Sequence, residues 1–566
     1  MFKGHPKGLI IASIANMGER FGFYTMMAIL VFFLQSRYGM SVEESGDVYS
    51  WFYFGIYGMA LLGGIMADRY TGLGRTILAG IVTMLLGYLL LTFPITNKTI
   101  TFVGLAIIAL GNGLFKGNLQ ALVGNLYENE TYGKLRDSAF SIFYMCINIG
   151  AFFAPSAAEA MLNFILKDSG FAYNGQLPAL CHDYLNQSSN LDINRFQELA
   201  NKASLTPITD YSHFASSYLE SVSTGYNYAF GVAAFAMTIS LLVFVLCKKH
   251  LAPGDFNAKT AKANGNTIEE ISPKETKKRL TALGLVFFVV IFFWMSFHQN
   301  GLTLNQFAKD YTASNVSAFT NMFFNLGAFL SVIAMVAGIV MLLRRKKKEA
   351  GSSLMENISV DNKNSKNMIW GTILAIAGLG ASYYFYNSFG TENPINPAKF
   401  QQFNPVFIVF LTPLVVGFFS WLNSKGKEPS TPRKIGYGMI IAAIGFVIMI
   451  FASTGLTAPS HLAAEGSSFA SPYWLISTYF TLTIAELCLS PMGISFVSKV
   501  APPKYKGLMQ GCWLGATAIG NKLLIVGSYF WERLELWQLW SIFVVCCIAS
   551  ALIIFALMKR LEAVAK

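Results

Sequence analysis

Six ionisable side chains stand inside stretches that are otherwise apolar: Glu19, Arg20, Lys116, His298, Glu486 and Lys522. A charge at hydrocarbon depth is costly, so each is a candidate for a functional role. Arg20 and Lys116 are cations early in the chain, and Glu486 is an anion late in it. Two cations and one acid on three separate segments complement a small zwitterion. Arg20 and Lys116 would take its carboxylate and Glu486 its ammonium. The competing reading is an ion pair that only locks helices together. Glu19 and Arg20 are adjacent, so on a helix they project about 100° apart. That spacing predicts that one helix pairs them badly, and that at least one finds a partner elsewhere or faces water. Glu159 lies nearer the outer end of its segment.

Aromatic and amide residues form a second set. Tyr24 follows Arg20 by four residues and shares its helix face. Tyr57 and Trp513 also lie within apolar stretches, where such rings are usually anchors or packing. Asn148 and Asn404 are harder to place in hydrocarbon, because an amide there needs partners. Asn404-Pro405 also reads as a helix start. Lys522 falls toward the outer half of its stretch, where it either snorkels or lines an exit path. The seven cysteines show no metal spacing, and Cys181, the one in a long polar loop, has no partner there. No disulfide, metal or nucleophile motif is expected, which argues against an enzyme.

These residues must be carried by membrane helices. The 566 residues are 54% hydrophobic and only 13% charged, about half the charge of an ordinary soluble domain. The excess apolar surface has to face a lipid bilayer. The net charge of +12 sits in short clusters between apolar runs, a pattern of membrane orientation rather than of nucleic-acid binding. Fourteen spans are predicted: 8–35, 47–67, 75–94, 100–124, 138–165, 226–247, 281–307, 319–344, 368–389, 402–424, 435–453, 472–498, 506–530 and 536–559. Alternate loops carry the cations, among them Arg69, Arg75, Lys134, Arg136, Lys248, Arg344–Lys348 and Lys504, while 454–471 has none. The positive-inside rule therefore puts both termini in the cytoplasm. The first apolar segment runs into a charged motif and is expected to stay as a span.

The outer loop 166–225 is polar and long, so it either folds into a small cap or is mobile. The pair 319–389 is nearly free of ionisable residues within its apolar stretches. It flanks a basic cytoplasmic linker, 345–367, and reads as a peripheral insertion. Without it, six spans precede and six follow. The expected division is an N-terminal bundle over 1–247, a linker over 248–280, the first C-terminal span within 281–318, and the rest over 390–566. This all-α membrane architecture, two six-helix bundles plus two extra helices, is that of the major facilitator superfamily.

Ordered motifs along nearly the whole chain resemble the proton-dependent oligopeptide transporter family of that superfamily. They are ERFGFY (19–24), GGIMADRYTGLGRTI (63–77), LGNGLFKGN (110–118), FYMCINIGAFFAP (143–155), NPVFIVFLTPL (404–414), ELCLSPMGISFVSKVAP (486–502) and GLMQGCWLGATAIGN (507–521). The resemblance implies that Arg20 and Lys116 hold a peptide C-terminus. It implies that Glu486 binds the amine with Asn148 and Asn404, and that Tyr24, Tyr57 and Trp513 shape the pockets. It further implies uptake of di- and tripeptides by alternating access, driven by a proton gradient with no cofactor. The lack of paired outer cysteines and the compact motifs suit a bacterial inner membrane, and a monomer is expected.

Three positions depart from the family pattern. Asn16 replaces the first glutamate of the span-one motif, and Met27 stands where a second arginine is common. His298 replaces a glutamate before Gln299. The lost arginine and glutamate are a pair in the family, and removing both avoids stranding one buried charge. Glu19 and His298 are then the candidate proton carriers, His298 alternatively being a neutral hydrogen-bonding residue. The extra helix pair is also displaced, lying between spans seven and eight rather than six and seven. The alternatives are a proton-independent carrier, a carrier of another small solute, and a membrane peptide sensor that does not transport.

Overall fold

A computed structural model describes residues 4–94, 96–128, 131–132, 135–189, 191–255, 272–343, 354–462, 469–502 and 505–565. Lys134, Arg344–Lys348 and Lys504, and parts of the expected loops 248–280, 345–367 and 454–471, lie outside the described residues.

The chain falls into two units, 1–312 with 400–566, and 313–399. The first unit opens with α1 (Lys7–Tyr38), which ends where Gly39 adopts φ +61° and its N–H bonds back to Gln35. Ser41 and Glu44 then form a reciprocal capping box that starts α2 (Val42–Met66). Next come α3 (Leu73–Thr92), α4 (Lys98–Asn125) and α5 (Arg136–Asp168). The segment after α5 folds as a cap of two short helices, α6 (Leu177–Leu185) and α7 (Ile193–Ala203), before α8 (Tyr211–Leu246). Leu177, Cys181, Phe196 and Phe214 form the cap's buried centre, and Tyr184 stacks on Phe196 at 4.6 Å. His182 bonds through Nε2 to the Ser36 carbonyl at 2.8 Å and ties the cap to the end of α1.

The C-terminal half begins earlier than expected. Residues 273–280 are not linker but the first turns of α9 (Pro273–Phe297), which Ser272 caps by accepting from the Glu275 N–H. A tight turn at His298–Gly301 breaks this span before α10 (Thr303–Tyr311). Then follow α14 (Phe403–Ser424), α15 (Thr431–Ala452), α16 (Pro472–Val500), α17 (Lys506–Lys522), α18 (Ile525–Trp531), α19 (Leu536–Ala556) and α20 (Met558–Ala565). Thirteen helices are long and apolar enough to cross a membrane among the described residues. The remaining expected span, 506–530, is present as α17 and α18, divided at Leu523–Leu524. The first unit thus holds twelve crossings, so both ends of the chain lie at one end of its bundle. That end is called the termini end, and the opposite one the cap end. Helices α1–α5 and α8 form one bundle; α9–α10 and α14–α19 form the other. They meet along α2 with α17, and α5 with α14. This is the major facilitator fold.

Small residues set the helix spacing in the N-terminal bundle. A Cβ on Gly63 of α2 would sit 2.2 Å from the Gly113 carbonyl oxygen of α4, and one on Gly150 of α5 would sit 2.4 Å from the Met17 oxygen of α1. Only glycine permits either crossing, and the two crossings draw α1, α2, α4 and α5 together around Glu19, Tyr57 and Lys116.

In the second unit, α11 (Ala318–Asn321) precedes an antiparallel pair, α12 (Leu326–Leu343) and α13 (Leu354–Ser388). The expected linker over 354–367 is therefore helix. Glycines at 338, 371 and 378 let the two backbones touch, and Ser331 bonds to Ser382 at 2.8 Å. A two-residue antiparallel ladder, β1 (Asn315–Val316) with β2 (Asn393–Pro394), closes the unit's base.

Candidate functional site

Helix α1 carries the first charges. Arg20 donates from Nε and Nη2 to the two carboxylate oxygens of Glu19, at 2.5 and 2.6 Å. Both residues are buried. The expectation that one helix pairs these neighbours badly is thereby corrected. The arginine stem is long enough to fold back across the offset, and a buried site offers no water to compete. Asn112 of α4 adds a third bond, its Nδ2 donating to Glu19 Oε1 at 2.6 Å. The Arg20 guanidinium also lies 4.7 Å over the Phe23 ring.

Lys116 stands one turn beyond Asn112 on the same face of α4. Its ammonium lies 3.9 Å from the centre of the Tyr57 ring of α2, a cation–π contact. Among the described residues it has no ion-pair or hydrogen-bond partner, and it is half-buried. On the other bundle, Glu486 of α16 carries the opposite charge. The carboxylate accepts from Asn404 Nδ2 at 3.0 Å, and the same amide donates to Thr483 Oγ1 at 3.1 Å. No cation pairs with Glu486 among the described residues. The Asn404 side chain therefore reaches across to α16 rather than capping its own helix, which decides between the two readings of Asn404-Pro405. Tyr24 stands one helix turn from Arg20 on α1, and the Tyr57 ring of α2 lies under the Lys116 ammonium.

The remaining candidates sit deeper in the packing. Asn148 donates to the Tyr144 carbonyl one turn back, at 2.9 Å. Trp513 is 4% exposed. Its indole fills the space a Cβ on Gly493 would need, the nearest ring atom being 2.0 Å from that position. His298 sits at the break between α9 and α10. Its Nδ1 lies 2.5 Å from Asn521 Oδ1, its ring stacks on Trp294, and Tyr53 approaches to 4.8 Å between ring centres. An amide oxygen only accepts, so Nδ1 is the protonated nitrogen in this arrangement. Met27 is buried among apolar side chains, and Asn16 is buried with its Nδ2 unpartnered.

Lys522 neither snorkels nor stands free. Its ammonium bonds to Asp47 at 2.5 Å and to Ser50 at 3.1 Å, and lies 4.4 Å over the Trp51 ring. It thus ties α17 to α2 across the two bundles. Arg533 with Glu43 at 2.7 Å and Lys309 with Gln35 at 2.8 Å repeat the tie nearby. These bonds hold the two bundles together at the cap end. Near the termini end, Asp255 accepts from the Gly74 N–H at the start of α3, at 2.7 Å.

Sequence reasoning missed Asn112, Asn521 and Tyr53. Asn112 and Asn521 stand inside the motifs already singled out, and an amide in an apolar helix was the available signal. Tyr53 lies one helix turn from Tyr57 and gave none. All seven cysteines are unpaired thiols. No group of three metal-binding side chains occurs among the described residues.

Two six-helix bundles that face each other across unpaired charges define a membrane transporter of the major facilitator class. The POT family model matches residues 74–179 and 387–533. The peptide transporter YePEPT of Yersinia enterocolitica is 26% identical over 593 aligned residues, covering 99% of this chain and 96% of its own. Dipeptide and tripeptide permease B of Xenorhabdus bovienii is 23% identical over 534, covering 92% and 86%. A crystal structure of the peptide transporter POT in complex with sulfate has the same fold, with a TM-score of 0.65 at 22% identity, over all of this chain and 96% of that one. The chain is thus similar to POT family members over most of its length. It is a transporter and not an enzyme.

Proposed function

We propose that this protein imports di- and tripeptides by alternating access. The observation that carries the reading is the pair Lys116 and Glu486. They are charges of opposite sign at membrane depth, on opposite bundles, and neither has an ionic partner among the described residues. A charge at membrane depth with no ionic partner is costly, and a bound zwitterion supplies both partners at once. Lys116 takes the peptide carboxylate and Glu486, steadied by Asn404, takes the ammonium. Arg20 joins Lys116 through the guanidinium N–H groups that Glu19 leaves free. Tyr24 and Tyr57 line the path between the charges, while Asn148 and Trp513 support its walls. The names of YePEPT and of the Xenorhabdus permease support a peptide substrate.

In this reading the cap end faces outward, both termini are cytoplasmic, and a monomer works in a bacterial inner membrane without a cofactor. The proton gradient supplies the energy, with Glu19 and His298 as carriers. A second reading, uptake independent of protons or of another small solute, is favoured by a specific observation. Glu19 is held by three bonds, His298 Nδ1 is engaged by Asn521, and Asn16 does not titrate.

The test is uptake of labelled dialanine into proteoliposomes, with and without an inward proton gradient, beside Glu486→Gln. Gradient-stimulated uptake lost in the variant is expected. Uptake indifferent to the gradient selects the second reading. No uptake by folded protein defeats the dipeptide reading.

A further inference from the structure

A cavity of about 280 Å³ lies at the cap end, apart from Lys116 and Glu486. Three parts of the fold wall it: the end of α1 with Gln35, the cap with Tyr173 and Asp183, and the C-terminal bundle with Lys309 and Glu532. Its size is at the lower limit of small-molecule sites, which run from roughly 300 to 1,000 Å³. That suits a ligand of a few heavy atoms beyond an amino acid.

The charges on its wall are of both signs. Lys309 gives one proton to Gln35 Oε1 at 2.8 Å and lies 3.8 Å from Asp310, beyond hydrogen-bond reach. Its ammonium keeps donors to spare. The carboxylates of Asp183 and Glu532 have no side-chain bond or ion pair among the described residues, whereas nearby Glu43 and Asp47 are spent on Arg533 and Lys522. Tyr173 adds an aromatic face for an ammonium, and Glu532 is exposed to solvent at the rim. The wall therefore offers a cation for a carboxylate, acids for an ammonium, and an aromatic surface where the two bundles are tied together.

We propose that this cavity is a vestibule that captures a small amino-acid-like zwitterion, its ammonium at Asp183 and Glu532 and its carboxylate at Lys309, while the cap end is closed. The proposal rests on the peptide reading only for the identity of the ligand. Because both bundles contribute to the wall, opening the cap end dismantles the vestibule and frees its contents toward the central charges.

The test is equilibrium binding of labelled dialanine to the full chain in lipid nanodiscs, in the Glu486→Gln background. Saturable binding is expected there. Adding Asp183→Asn with Glu532→Gln is expected to weaken it at least tenfold, and Asp183→Glu with Glu532→Asp to retain most of it. N-acetyl-dialanine, which has no ammonium, is expected to bind at least tenfold more weakly than dialanine. Absence of saturable binding to Glu486→Gln, or binding indifferent to the acid-removing pair, overturns the vestibule. Uptake by the unaltered chain is measured alongside. Its failure defeats the peptide reading and leaves the binding result to decide the vestibule by itself.

Discussion

Glu19 and Arg20, neighbours in the chain, hold each other through two hydrogen bonds inside the membrane bundle, and Asn112 from another helix completes the group. Lys116, one turn from Asn112, has among the described residues only the Tyr57 ring for company. The N-terminal bundle thus contains one satisfied charge pair and one waiting cation, and the two respond differently to substitution.

Glu19→Gln strands a buried guanidinium and is expected to cost about 3–5 kcal/mol of stability. Asn112→Leu leaves the Glu19 carboxylate one bond short, at about 1–3 kcal/mol. Thermal melting of purified protein in detergent should rank Glu19→Gln below Asn112→Leu and both below the unaltered chain. Equal melting of all three would show the cluster to be idle.

Lys116→Gln and Glu486→Gln break no ion pair in the substrate-free protein. Neither is expected to lower the melting temperature below that of the unaltered chain. Each removes one charge-assisted contact to substrate, so dialanine uptake should fall about 10- to 100-fold. A large loss of stability with either would mean that the charge is structural.

The Lys522–Asp47 tie joins the two bundles with both partners partly exposed, at 25% and 43% of the side chain. A double-mutant cycle with Lys522→Met and Asp47→Asn is expected to give a coupling of about 0.2–1 kcal/mol. Spin-label distances across the cap end, measured for each member of the cycle, report the closed fraction. The single variants should open that end more often, and a cycle without coupling would show that the other ties suffice.

Cys181 tests whether the cap is folded in solution. It is wholly buried, and burial pushes its thiol well above the ordinary range. A hydrophilic maleimide should therefore spare Cys181 in the folded protein. Phe196→Asp, which places a charge in the cap's centre, should expose it to labelling, as read by peptide mass spectrometry. Ready labelling of the unaltered protein would mean that the cap opens freely.

Most of the helices were legible because a span of about 20 apolar residues announces itself. The charges were legible for the same reason, as exceptions within those spans. What escaped were relations that depend on side-chain reach and on breaks. Periodicity says where Arg20 points, not that its stem folds back to Glu19. The span 281–307 reads as continuous because His298–Gly301 interrupts the helix without a proline, and 506–530 reads so because Leu523–Leu524 is as apolar as its surroundings. The partner of Lys522 was out of reach because Asp47 is 475 residues away.

The contact of Trp513 with Gly493 also bears on how the chain can change over time. An indole occupies the volume that any larger residue at 493 would claim, so Gly493→Ala alone overpacks the C-terminal bundle, at about 1–3 kcal/mol. A smaller ring at 513 should relieve it. In an evolving lineage the two positions ought then to drift together: a bulkier 493 should arise only where the indole has already been lost.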